Sequence, residues 1–137
     1  GIRVSGPADH NIKDQAIYRM FDFLRSFPCN IIVTAHIVPK WGKPPGTGEK
    51  EYVDSIIIGE ELSVTNKLAN NVLIYFNEVY QFSREETSSG QIKHFVKFRG
   101  NLAKTSYPQL PFGRVDITGK NFYQVWRELL AKETKGV

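Results

Sequence analysis

The 137 residues include a single cysteine, Cys29, so neither an internal disulfide nor a multi-cysteine zinc site can form. A lone thiol fits a reducing interior, and after the Pro28 break it reads as a small residue packed at the start of a strand. No apolar run approaches the roughly 18 residues that a membrane-crossing helix needs, and no basic-then-apolar leader opens the chain. The expectation is a cytoplasmic protein with no membrane partner. His10 and His94 have no ligand-spaced partners, which argues against a histidine metal site. Asp54, Glu60 and Glu61 are close together, but no lysine stands beside them at the spacing a nuclease needs. There is no internal repeat, and nowhere is Gly followed at once by Lys and then Ser or Thr. The chain starts at Gly1 rather than Met, which leaves a fragment or a processed piece as an expectation.

What is present is ordinary for a globular chain: 41% hydrophobic and 23% charged residues, which excludes wholesale disorder. The length suits a single domain, 1–137, with one core. A net charge of +4 leans towards a polyanion partner such as nucleic acid or nucleotide.

The stretch Asn30-Ile31-Ile32-Val33-Thr34-Ala35-His36 is the expected organising element: a short apolar run, rich in β-branched residues, after a break and ending in polar residues. This pattern predicts a buried parallel strand delivering a polar tip to a sheet edge, where open α/β sheets bind ligands. Ile12, Ala16, Ile17, Met20, Phe21, Leu24 and Phe27 predict a helix from about Ile12 to Phe27, capped by Asp9 or Asn11 and stopped by Pro28. Val38 to Tyr52 holds three prolines, three glycines and three lysines and predicts a surface loop. Val53–Gly59 reads as a short strand closing this excursion, and Thr65–Phe76 as a second amphipathic helix. Glu78–Glu85 and Gln91–Phe98 read as hairpin strands, Val115–Thr118 as another strand. Phe122, Val125, Trp126, Leu129 and Leu130 predict a terminal helix ending near Lys132. The order implies an α/β fold: a mixed sheet with parallel core strands and a late antiparallel hairpin, flanked by helices.

The run Gly42–Lys50 begins like a phosphate-binding loop, but Glu49 separates Gly48 from Lys50 and Glu51 replaces the hydroxyl residue, so it is rejected as one. Two readings of the loop stay open. Lys40, Lys43 and Lys50 touch a nucleic acid backbone while Trp41 stacks on a base, or the loop is solvated without a partner. Thr34 and His36 stand where a phosphate or an attacking water could be met, or His36 is a hydrogen-bonded structural residue. Strand alternation puts Lys97 and Arg99 on one side of a strand, with Lys93 and Lys104 near. Two fixed cations suit a phosphate, and equally suit a charged edge-strand face.

Asn-Ile-Ile-Val-Thr-Ala-His, Val-Thr-Asn-Lys-Leu-Ala-Asn-Asn, Tyr-Phe-Asn-Glu-Val-Tyr-Gln-Phe and Lys-Phe-Arg-Gly together resemble the C-terminal part of phage-type RecA-like P-loop ATPases of DNA recombination and replication. The resemblance covers about residues 9–130. It implies a partial RecA-like fold, a sensor at His36, a DNA-facing loop after it, and Lys97 and Arg99 reaching a neighbouring subunit's nucleotide. It further implies ATP and magnesium in the complete protein, a homo-oligomer, single-stranded DNA as partner ahead of duplex, and a phage protein acting in the host cell. The P-loop and the magnesium aspartate strand are missing from these 137 residues, so an upstream segment or separate chain is expected to supply them. Alone, this chain is expected to hold no cofactor and to be inactive. The alternative is a non-catalytic nucleic-acid-binding or assembly module.

Overall fold

The computed structural model describes residues 6–64 and 66–132. It is mixed α/β, with one two-stranded and one three-stranded sheet, both antiparallel. The chain divides between Tyr75 and Phe76 into two compact units. Of the turn-rich entry that GIRVSGPADH predicts over Gly1–His10, residues 1–5 lie outside the described residues and 7–10 are helical instead. The Asp9 and His10 side chains and the expected helix start at Thr65 also lie outside the described residues.

The first unit opens with α1 (Pro7–Arg25). Proline is tolerated at a first helical position because its missing N–H would have no partner there. The helix therefore starts before Asn11, which is interior rather than a cap. Its buried side is centred on Asp14 and Phe21, with Ile17, Tyr18 and Leu24 half-buried, whereas Ile12 and Met20 are exposed. Tyr18 and Phe21 each lie against Tyr75, with ring centroids 5.7 and 5.6 Å away. At its end, the Ser26 and Phe27 N–H groups reach back to the Phe23 and Leu24 carbonyls before Pro28.

The expected buried strand at Asn30–His36 is not present. The segment has no strand partner among the described residues and is exposed throughout, Ile32 at 91%. An apolar run has strand propensity, but a strand exists only where another backbone completes its ladder. No parallel pairing occurs among the described residues, so the expected parallel core strands are absent there. Cys29 is likewise exposed, not packed at a strand start.

Strand β1 (Ile37–Gly42) pairs with β2 (Ile56–Leu62). The first five residues of the expected loop 38–52 thus belong to a strand, and the loop proper runs over 43–55. Pro39 is compatible because each strand of a two-stranded ribbon is an edge. The register shifts between Lys40 and Trp41. At Gly42 an added Cβ would lie 2.5 Å from Ile58 Cδ1, so glycine makes room for that side chain. The second helix is shorter than expected: α2 (Asn66–Asn71) continues as a 3₁₀ turn over Val72–Tyr75, burying Leu68, Ala69 and Val72.

The second unit holds β3 (Gln81–Glu86), β4 (Ile92–Lys97), β5 (Arg114–Asp116) and α3 (Phe122–Ala131), the sheet running β3-β4-β5. The expected hairpin is present, Gly90 taking the left-handed conformation its turn requires. Asn121 caps α3, its side-chain oxygen accepting from the Tyr123 and Gln124 N–H groups. The expected stripe of α3 packs on Val96, Phe98, Leu110 and Ile117, the buried centre of this unit.

A three-part network ties this helix down. Trp126 Nε1 donates to the Tyr80 hydroxyl (3.0 Å), which donates to Glu78 (3.0 Å). Glu78 also accepts from the Thr105 hydroxyl and from the backbone N–H and hydroxyl of Ser106. Burial pushes the Glu78 carboxyl up, but hydrogen bonds from Ser106, Thr105 and Tyr80 outweigh it and hold the group below the ordinary 4.5. Burial first, then the neighbouring carboxylate, push the Tyr80 phenol up to about 12.

Candidate phosphate and nucleic-acid surfaces

Alternation along β4 turns Val96, and Phe98 just beyond the strand, into the core; Lys97 and Arg99 belong to the opposite set. Lys97 pairs in register with Gln81 on one side and Arg114 on the other. Like charges directly opposed repel, and Arg114 is compensated by an ion pair with Glu85 and by lying 4.0 Å over the Phe95 ring.

Arg99 is not free. Its Nε donates to the Leu110 carbonyl (3.2 Å) and one terminal nitrogen to the Tyr107 carbonyl (2.7 Å), with the guanidinium 4.9 Å over the Phe112 ring. Two of five donors are so used, which fixes the cation and leaves three outside these contacts. Sequence reasoning missed Arg114, Phe112 and the carbonyl anchors. The period-two pattern of Arg114-Val115-Asp116 carried a signal for Arg114, but its pairing with Lys97 depends on register.

The other expected residues fall in the first unit. Thr34 and His36 are exposed in the segment leading into β1, the His36 carbonyl accepting from Ser63 N–H (2.9 Å). Lys40 is half-buried on β1, and Trp41 is 62% exposed opposite Ile57. The Lys43 ammonium is spent within its own loop, reaching the carbonyls of Glu49 (2.8 Å), Glu51 (2.9 Å) and Gly48 (3.5 Å). Lys50 is exposed near the loop tip. Around these lysines stand Glu49, Glu51, Asp54, Glu60 and Glu61. From 37 to 62 there are thus three lysines against five carboxylates, a net charge of −2. The composition that suggested a basic loop therefore gives an acidic hairpin.

Charge is divided as unevenly as core. Up to Tyr75, eight Lys and Arg balance eight Asp and Glu; beyond it, ten face six, so the whole excess of +4 lies in the second unit's sequence. Among the described residues, no group of three or more His, Cys, Asp or Glu could hold a metal ion, so no step through magnesium is drawn from these side chains. No helix among them is long and apolar enough to cross a membrane.

Compared with protein-family models, curated proteins and solved structures, the chain matches none.

Proposed function

We propose that this chain is part of a DNA-associated, phage-type RecA-like ATPase, contributing Lys97 and Arg99 to a nucleotide held outside its own residues by a P-loop segment or chain. The observation that carries this reading is the fixed guanidinium of Arg99, two residues past Lys97 at the end of β4, with three donors outside its carbonyl contacts. A pre-positioned planar fork loses little entropy on meeting phosphate oxygens. In that reading ATP and magnesium belong to the complete oligomer, and the parallel core and RecA-like fold are properties of the assembled protein. Thr34 and His36 serve as polar sensors only there, and the net-acidic hairpin that carries Lys40, Trp41, Lys43 and Lys50 makes no DNA contact in this reading. Alone, the chain does not turn over ATP. In an assembly that includes the P-loop portion, Arg99→Ala lowers turnover about 10³-fold or more and leaves nucleotide affinity nearly unchanged. Mixing it with a P-loop variant restores part of the activity.

The second reading, a non-catalytic nucleic-acid-binding or assembly module, is favoured by the same carbonyl contacts, which make Arg99 a pin for the 107–112 segment. Magnesium-dependent hydrolysis by the purified chain contradicts the first reading; unchanged turnover of Arg99→Ala in the assembly favours the second.

A further inference from the structure

Beside the 117–120 turn, the second unit's sheet has an open groove of about 370 Å³. Its lining includes Phe82 and Arg84 of β3, His94 of β4, and Ile117, Gly119 and Lys120 of the turn. The register sets Arg84 opposite His94 and Phe82 opposite Val96, so the two β3 side chains share the face that α3 covers further along. The turn is tied to the sheet rather than loose. Ile117 N–H donates to the His94 carbonyl (2.8 Å), His94 N–H to the Thr118 hydroxyl (2.9 Å), and Thr118 N–H to Asp116 (2.8 Å). Lys120 N–H returns to the Ile117 carbonyl (3.0 Å) across Gly119, whose φ of +67° suits glycine.

The Arg84 and Lys120 side chains make no hydrogen bond or ion pair among the described residues, in contrast to those of Arg99, Arg114 and Lys43. The Asp116 carboxylate, engaged by Thr118, interacts electrostatically with Lys93 and with Lys120. Phe82 is 52% exposed, yet its ring is steadied edge-on by Phe122 at 5.1 Å. A fixed, half-exposed aromatic ring flanked by two unengaged cations matches a base beside a phosphate.

We infer that this groove, and not the β1–β2 hairpin, seats single-stranded nucleic acid, one base stacking on Phe82 while Arg84 and Lys120 meet the flanking phosphates. This deepens the DNA-associated reading above and rests on it for the class of partner. The groove's volume falls at the low end for small-ligand sites, but it is open and has no buried donor set to grip a base edge. Affinity therefore comes from repetition along a strand, without sequence preference.

The test is fluorescence anisotropy of a labelled oligothymidylate of about 12 nucleotides, titrated with the full chain over a salt series. The unmodified chain and Trp41→Ala should bind alike. Phe82→Leu should weaken binding about tenfold. Arg84→Ala with Lys120→Ala, two substitutions at exposed positions that leave packing intact, should lower the slope of log affinity against log salt by about 1.4. Binding that is unchanged in the double variant but lost in Trp41→Ala overturns the groove and leaves the DNA reading standing. No binding by the unmodified chain at low salt overturns both. Thymidine monophosphate competing as well as the oligomer overturns the strand as ligand.

Discussion

The two units use the same kinds of residue and bury them very differently. Among the described residues up to Tyr75, fifteen large apolar side chains are exposed, including the consecutive runs Ile31–Val33 and Ile56–Ile58; beyond it only five are. The second unit stacks three strands under one amphipathic helix, so that Val96 and Phe98 are fully buried. The first has a two-stranded ribbon, and a ribbon alone offers its apolar side chains no opposing layer. Apolar patterning determines what a segment could bury, while burial itself needs a facing surface. Charge follows the same division: the second unit has both the fully buried centre at Val96 and Phe98 and the positive excess.

The largest expected effect is at the second unit's centre. Phe98 is fully buried, edge-on to Tyr80 at 5.0 Å and stacked with Phe122 at 6.3 Å. Phe98→Ala should cost about 3–5 kcal/mol in denaturant unfolding of this unit, and a loss under 1 kcal/mol would break the contrast. Next is Glu78→Gln, which weakens charge-assisted hydrogen bonds and should cost about 2 kcal/mol. It also has a pH signature. The folded-state carboxyl titrates below its ordinary 4.5, so its contribution is present above that value and is lost as pH falls through the folded pKa. Acid titration of unfolding should show this limb in the unmodified chain and a flatter one in Glu78→Gln.

Asn121→Ala removes the side-chain acceptor for two N–H groups of α3 and should cost about 1 kcal/mol, read from the same unfolding curves. Smallest is Ile57→Thr on the exposed ribbon, expected within about 0.5 kcal/mol of neutral. A larger loss there would mean that the ribbon's apolar side chains do more than the contacts described.

The elements legible in the sequence are those whose partners lie near in the chain. The 81–97 hairpin, with its Gly90 turn, and the α3 stripe are local patterns, and their burial follows from a few neighbouring elements. Asn30–His36 failed because a two-sided apolar run does not say which backbone pairs with it. β1 was hidden by Pro39 and Gly42, residues that punctuate most strands but are tolerated on an edge. At the candidate sites, alternation placed Lys97 and Arg99 together. It could not show that Arg99 is pinned by carbonyls eight and eleven residues further on, or that Lys43 is consumed by its own loop. The groove at Phe82 and Lys120 joins residues nearly forty apart, and no spacing rule connects them.

Backbone amide hydrogen exchange of the full chain, with and without single-stranded oligothymidylate, tests the division most directly. Without ligand, amides of β4 should be the most protected and those of 30–36 should exchange nearly as fast as in an unstructured peptide. With ligand, added protection should gather at 82–84, 94–95 and 117–121. Strong protection of 30–36 in the free chain, or added protection confined to 38–52, would contradict the assignment of core and polyanion surface to the second unit.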